Sequence, residues 1–269
     1  MQLRPQGLVL TMLALYAREP GRRVRAGGLV RLLGEFGFSV GASRVALSRL
    51  VQRGLLERVK DGREVSYGVT AHCEHVLAEG DRRVFSFGTE TPAGRWTIVC
   101  HSVPAEQARA SLAQRLRFLG FGLVSDGTWL SPHDRARDVE LLTEDLEVAS
   151  QVEVLLGAPV SVGDARSLIT RIWDIDGLRE RYRDFVVRFA ATNGVRDDRD
   201  AFVTRTSIAH EFRHFPLLDP EPPSDVLDLP ERDEAVAVFR RALDSLRAAS
   251  ERYFAAAAGP SIQRADRVK

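Results

Sequence analysis

No run of apolar residues in this sequence approaches the roughly 20 that a helix needs to span a bilayer. The N-terminal MQLRPQ lacks the cation, apolar stretch and small-residue site of a secretory leader. Cysteine is nearly absent as well: Cys73 and Cys100 are the only two in 269 residues, too few and too far apart for a disulfide scaffold. A reducing compartment fits such usage, so a cytoplasmic protein with no membrane partner is expected. Internal repeats are missing. Net charge is close to nil, at +1, which argues against a protein coated with nucleic acid over its whole surface.

What is present is unevenly distributed. Residues 1–67 carry 12 Lys+Arg against 5 Asp+Glu, a net of +7, which leaves 26 against 32 for the remainder. The cations gather around Phe38–Tyr67, FSVGASRVALSRLVQRGLLERVKDGREVSY. From Ala42 to Arg53 the apolar Ala46, Leu47, Leu50 and Val51 form the stripe of an amphipathic helix. Ser43, Arg44, Ser48, Arg49 and Gln52 lie on the opposite side, and side chains of that kind reach phosphates and base edges. Gly54 is placed to stop the helix with a left-handed residue. A strand over Leu55–Val59, a two-residue turn at Asp61-Gly62 and a return strand over Val65–Val69 make a hairpin. Lys60 and Arg63 flank its tip, within reach of a sugar-phosphate backbone. Ser43, Arg44, Ser48, Arg49, Arg53, Lys60 and Arg63 are therefore the candidate contacts to double-stranded DNA.

Upstream, Leu8–Arg18 reads as a first helix ended by Pro20-Gly21, and a second begins at Arg25 with Leu29, Leu32, Leu33 and Phe36 turned inward. Gly37–Gly41 is then the short turn of a helix-turn-helix. Thr70 caps a helix expected to run to about Leu77, with EGDRR as its exit. Beyond Arg95 the pattern changes. Strands at Trp96–His101, Phe121–Val124, Thr128–Leu130 and Gln151–Leu156 alternate with helices opening at Pro104 and spanning Arg135–Val148, the βαββαβ plan of ferredoxin-like folds. GAPVSVGD, residues 157–164, reads as a linker. Helices follow along Ile175–Phe189, Asp198–His214 and Glu231–Ala257, with the Pro-rich PLLDPEPPSDVLDLP between the last two. The tail from Gly259 is polar. The expectation is an α+β chain: an N-terminal winged helix-turn-helix over 1–84, a central ferredoxin-like domain over 92–157, and a C-terminal helical domain over 171–258.

Taken together, these segments resemble the PaaX family of bacterial transcriptional repressors. SRVALSRLVQRGLLER followed by GREVSYGVT is similar to its winged-helix segment. GRWTIVCHSVP with LAQRLRFLGFGLVSDGTWLSP is similar to its central domain, itself related to the Cas2 nucleases, and RTSIAHEFRHFPLLDPEPP to its C-terminal signature. Around Leu229-Pro230 the family continues with a tryptophan and a glycine, whereas here ERDEAVAVF follows directly. The resemblance implies a homodimeric repressor that binds a palindromic operator and leaves it when an acyl-CoA effector such as phenylacetyl-CoA binds. Arg115, Arg117, Arg205 and Arg213, with Trp173, are the candidates for the effector's phosphates and aromatic acyl group. The central domain, which holds Arg115 and Arg117, is the expected dimerisation element, and the C-terminal helical domain over 171–258 is expected to serve effector sensing or dimerisation. No cofactor is implied.

Two enzyme readings compete. His210-Glu211-Phe212-Arg213-His214 is HExxH, which on a helix sets two imidazoles toward zinc with Glu211 as general base; Glu231 or Glu234 would be the third ligand. Pro216 follows at once, however, and the pentapeptide falls inside the PaaX-like C-terminal signature, so helix packing and polar contacts are the expected roles. His72, Cys73 and His75 lack a fourth ligand and a second separated pair. A Cas2-like nuclease would need a carboxylate at the end of the first central strand, and RWTIVCHSVP has none. No metal site is expected.

Overall fold

The computed structural model describes residues 3–19, 21–89, 95–157, 164–190 and 195–259. The polar tail beyond Gly259 and most of the expected linker lie outside those residues. Helix and sheet are both present. The elements in chain order are α1 (Pro5–Tyr16), β1 (Arg23–Arg25), α2 (Ala26–Gly34), α3 (Val40–Gln52), β2 (Leu56–Asp61), β3 (Glu64–Val69), α4 (Ala71–Ser86), β4 (Trp96–His101), α5 (Glu106–Phe118), β5 (Gly122–Ser125), β6 (Thr128–Ser131), α6 (Ala136–Asp145), β7 (Val152–Gly157), α7 (Ala165–Ile172), α8 (Ile175–Phe189), α9 (Asp198–Phe212), α10 (Phe215–Leu218), α11 (Pro230–Ser245) and α12 (Arg247–Ala258). They divide into two compact units: Met1–Phe85 with Phe189–Arg213 and Val238–Lys269, and Ser86–Arg188 with His214–Ala237. The helices between 171 and 258, which the sequence suggests as one domain, are thus shared between the units.

In the first unit the apolar stripes of α1, α2 and α3 meet through Leu8, Met12, Leu29, Leu32, Leu33, Leu47 and Leu50, all buried. Phe202 of α9 and Phe254 of α12 complete this core. Phe202 is wholly buried, with ring centroids of Tyr16 at 5.5 Å, Tyr253 at 5.4 Å and Phe36 at 5.8 Å. Such aromatic pairs add about 0.5–1.5 kcal/mol each beyond the area they bury. Polar contacts run between the same elements: the Glu35 carboxylate accepts from Arg199 Nε at 2.5 Å and from Tyr253 Oη at 2.6 Å. At Gly28 of α2 a Cβ would come within 2.7 Å of Ala258 Cα, so the glycine lets α2 lie against α12.

The hairpin β2–β3 is present with a third strand that the sequence did not reveal. β1 pairs antiparallel with β3, giving the order β1-β3-β2. Asp61 pairs with Glu64, so the two turn residues are Gly62, at φ +56°, and Arg63, one position later than Asp61-Gly62. A further difference is α4, which continues through EGDRR to Ser86 where an exit was expected near Leu77. The segment has no glycine-proline pair to stop it, and Gly80 alone lowers helix stability without ending the helix.

The second unit holds the βαββαβ element order. Its sheet runs β5-β6-β4-β7 with every neighbouring pair antiparallel. Val99, Leu112, Leu116, Trp129, Val139 and Leu142 form its core with α5 and α6. The C-terminal stretch expected as one helix from Glu231 is two, α11 and α12, separated at Leu246.

Candidate nucleic-acid interface

Helix α3 starts at a serine cap. Ser39 Oγ accepts from Ala42 N at 3.2 Å, satisfying one of the open amides of the first turn. The helix stops where Gly54, at φ +67°, donates to Val51 O at 2.9 Å while Leu55 N donates to Leu50 O at 3.0 Å. These are the paired bonds of a Schellman stop, with Leu50 and Leu55 in the hydrophobic positions. Ser43, Ala46, Leu47 and Leu50 face the core, and Gly41, Arg44, Val45, Ser48, Arg49, Gln52 and Arg53 are exposed. Ser43 therefore departs from its expected role. It is fully buried, and its Oγ donates to Ser39 O at 2.9 Å, so a hydroxyl read as a DNA contact closes the first turn from inside. Its position one turn before Ala46 and Leu47 sets it in their stripe.

The electrostatics single out this surface. Arg23 pairs with Glu57 at 3.2 Å and Arg25 with Glu64 at 3.2 Å. Among the described residues, the side chains of Arg44, Arg49, Arg53, Arg58, Lys60 and Arg63 have neither an ion pair nor a hydrogen bond, and all six residues are exposed. Six such cations on one helix and the hairpin that follows it, against the single unpaired carboxylate of Asp61 at the hairpin tip, make a local field of net positive sign. Arg58 was missed by sequence reasoning. The period of two in β2 would have found it, since Arg58 and Lys60 share one face of the strand.

The effector candidates separate. In the second unit Arg117 and Trp173 line one cavity of about 350 Å³ with Phe121, Trp129, Leu178 and Arg181. The Arg117 guanidinium lies 5.0 Å from the Trp129 ring, and Gly122 makes room for Trp173, whose Cε2 would lie 2.7 Å from a Cβ there. Arg115 is not in the lining and forms an ion pair with Asp145. Arg205 and Arg213 belong to the first unit and are engaged there. Arg205, 3% exposed, donates to Leu243 O at 3.0 Å and lies over the Tyr16 ring at 5.2 Å. Arg213 donates to Thr11 Oγ1 at 2.9 Å and Gly7 O at 3.3 Å, and burial lowers its pKa. Both are corrected from ligand contacts to packing donors: a guanidinium whose N–H groups already serve backbone carbonyls and hydroxyls inside a helix bundle is not presented to a ligand.

A residue the sequence did not flag stands at the same cavity. Asp219 is 4% exposed and accepts from Tyr182 Oη at 2.6 Å, Arg232 Nε at 2.7 Å, Arg232 Nη2 at 2.9 Å and Glu221 N at 2.7 Å. Burial, then the neighbouring Asp219 charge, holds the Tyr182 hydroxyl well above its ordinary range. Burial works against the Arg232 charge, yet the Asp219 carboxylate raises its pKa further.

The HExxH reading fails on geometry. Helix α9 ends at Phe212 with Arg213 as its cap, and His214 precedes α10, so the two imidazoles do not share one helix face. His210 is buried, with Nδ1 3.0 Å from Thr11 Oγ1. Among the described residues no three His, Cys, Asp or Glu side chains gather as a ligand set. Strand β4 carries no carboxylate, and its last residue is His101.

Comparison with known proteins places the chain. Residues 4–73 match the family described as PaaX-like protein, 89–169 the PaaX protein central Cas2-like domain, and 173–256 the PaaX-like protein C-terminal domain. The chain belongs to the PaaX family. Among PaaX relatives, the transcriptional repressor PaaX of Escherichia coli K12 is 24% identical over 220 residues, 77% of this chain and 69% of that one. A solved structure, the uncharacterized protein Rv0674 from Mycobacterium tuberculosis, superposes with a TM-score of 0.61 at 23% identity, covering 95% of this chain and 99% of the other; it shows that this PaaX-family chain shares its fold. No helix among the described residues is long and apolar enough to cross a membrane.

Proposed function

We propose that this PaaX-family chain is a DNA-binding transcriptional repressor. In this reading α1–α3 with the β1–β3 sheet form a winged helix-turn-helix over about 1–84. Helix α3 enters the major groove, and the β2–β3 hairpin is the wing. The observation that carries the reading is the set of six exposed cations on α3 and the hairpin that no carboxylate neutralises, since phosphate contacts supply most of the affinity of such proteins. Arg44, Ser48, Arg49 and Arg53 serve the helix, and Arg58, Lys60 and Arg63 the wing. Two copies, joined through the Cas2-like domain of about 92–157, set their α3 helices about 34 Å apart on a two-fold operator.

An acyl-CoA such as phenylacetyl-CoA is the proposed effector. The family supports that class, and the cavity holding Arg117 and Trp173 is the place assigned to the acyl end. Binding there favours a dimer whose α3 spacing no longer matches the half-sites.

The test is a gel shift on the chain's own promoter region. Arg44→Ala with Arg49→Ala is expected to weaken binding and to flatten its dependence on salt by about 0.9 for each phosphate left unneutralised. Unchanged affinity and salt slope in that variant would overturn the assignment. A panel of acyl-CoAs added to the wild-type complex identifies the effector. Arg117→Ala and Trp173→Ala are expected to raise the concentration needed for release without altering DNA affinity.

A further inference from the structure

Each residue of α3 turns the helix by about 100°. With Ser43, Ala46, Leu47 and Leu50 buried, the line farthest from the core runs Gly41, Val45, Ser48, Gln52, every one exposed. Arg44 and Arg49 fall roughly 70° to either side of that line. The arginines thus flank the ridge and do not cap it.

Two residues of the ridge are unexplained by the fold. Val45 is 51% exposed, a branched apolar side chain in the middle of a basic face, where a β-branched residue lowers helix stability. Gly41 stands in the first turn, and a Cβ there would meet only Ser39 Oγ, at 4.0 Å; packing does not require glycine at this point, and glycine costs helix stability relative to alanine. Both choices make sense against a surface that approaches the ridge closely and offers it something apolar. In the major groove that apolar feature is the C5-methyl of thymine.

We infer that Val45 reads a thymine methyl, with Gly41 bringing the helix close to the groove floor, while Arg44 and Arg49 hold the phosphates on the two sides. The inference rests on α3 entering the major groove. Val45 can neither donate nor accept a hydrogen bond, so a cytosine or guanine edge against it would lose water without gaining a partner. Ser48, one turn on, lies beside Val45 and reaches the neighbouring base pair. Specificity and affinity then reside on different residues of one helix: the ridge selects, and its flanks attach.

The experiment is a binding-site selection from a random duplex pool with the full chain, its Val45→Ala variant and its Arg44→Ala, Arg49→Ala double variant. Wild type is expected to enrich a T·A pair at one position of each half-site, and Val45→Ala to lose that preference alone. Replacing that thymine by deoxyuridine, which removes only the methyl, should weaken the wild type about three- to tenfold, at the lower end of what a base contact is worth, and leave Val45→Ala unmoved. The double arginine variant should bind all duplexes more weakly while enriching the same sequence. Gly41→Ala should fold as well as wild type or better, by circular dichroism and melting, yet bind the selected duplex more weakly. A Val45→Ala protein with the wild-type consensus and the wild-type sensitivity to deoxyuridine overturns the inference and leaves the DNA reading standing. A wild-type protein that enriches no duplex overturns both, and wild-type affinity in Gly41→Ala removes the close approach.

Discussion

Replacing Asp219 by alanine is expected to destabilise the second unit severely. The carboxylate is wholly enclosed, with its side chain 0% exposed, and its partner Arg232 is 12% exposed. Four bonds end on it, from the Tyr182 hydroxyl, two Arg232 nitrogens and the Glu221 amide. Removing it strands a guanidinium inside the protein, and losing one member of a buried pair costs about 3–5 kcal/mol. For a chain of this size each kcal/mol moves the melting temperature by roughly 2–4 °C, so Asp219→Ala should melt roughly 6–20 °C lower. Asp219→Asn keeps the shape and two acceptor lone pairs but not the charge, and belongs between the two. Asp219→Leu with Arg232→Met removes the orphaned charge, and by the behaviour of other buried pairs should recover most of the loss. Differential scanning calorimetry of the full chain reads all four proteins, and the single variants Asp219→Leu and Arg232→Met close the double-mutant cycle that isolates the coupling. The reasoning is refuted if Asp219→Ala melts within about 2 °C of wild type, the shift expected for less than 1 kcal/mol, or if the double variant is as unstable as the single one.

Other outcomes are equally open to measurement. Phe202→Ala should cost the first unit about 3–5 kcal/mol in urea unfolding, as deletion of a fully buried ring does; a loss below about 1 kcal/mol would mean the aromatic cluster is not a shared core. Cys73 is buried, and its thiol is pushed up to about 11, by burial first and the Glu74 charge second. The unfolded thiol ionises at lower pH than the folded one, so stability is intact below about pH 9 and falls as pH rises from there toward 11. A thiol reagent at about pH 8, near the ordinary thiol pKa, should accordingly label Cys100 in the native protein and Cys73 only on unfolding. The sequence holds two lysines, Lys60 and Lys269, so an amine-acetylating reagent followed by mass spectrometry gives a clean footprint. DNA should protect Lys60 and leave Lys269 unchanged, and equal labelling of Lys60 with and without DNA would remove the hairpin from the interface. Gly28→Leu forces a side chain into the Ala258 backbone and should destabilise by about 1–3 kcal/mol, read from the same melts.

How far the sequence could be read depended on how local each signal was. The α3 stripe, its glycine stop and the Asp61-Gly62 neighbourhood are set by residues within one or two turns, and they lie within a residue or two of where pattern and turn chemistry put them. Strand β1 was invisible: three residues, Arg23–Arg25, carry no alternation long enough to register, and only pairing with β3 makes them a strand. Ser43 misled because a small hydroxyl reads as surface while its spacing reads as core, and the bond to Ser39 O lets both be true. Arg205 and Arg213 misled for the opposite reason. Their charge suggests a ligand, and nothing nearby in the sequence reveals that Leu243 and Thr11 supply their acceptors. Asp219 was lost in a proline-rich stretch that looked like a connector, since its partners Tyr182 and Arg232 are distant in sequence. Arg117 and Trp173 were named from the family resemblance, and the cavity that joins them depends on Gly122, which no local pattern marks.

The first unit is assembled from both ends of the chain, and synthesis runs in one direction only. When Phe85 leaves the ribosome, α1, α2 and α3 exist but Phe202, Tyr253 and Phe254 do not. At about 5–20 residues per second, the roughly 170 residues still to come take on the order of ten seconds or more. Until α9 emerges the faces of α1 and α2 that receive α9 and α12 are both bare and Glu35 has neither Arg199 nor Tyr253, and the α12 face stays bare to the end of that interval. A nascent or truncated chain therefore carries helix α3 without the helices that complete the core beneath it. Quality control follows from the topology: a ribosome that stalls anywhere before Phe254 releases an unfinished unit, open to proteases along its hydrophobic seam.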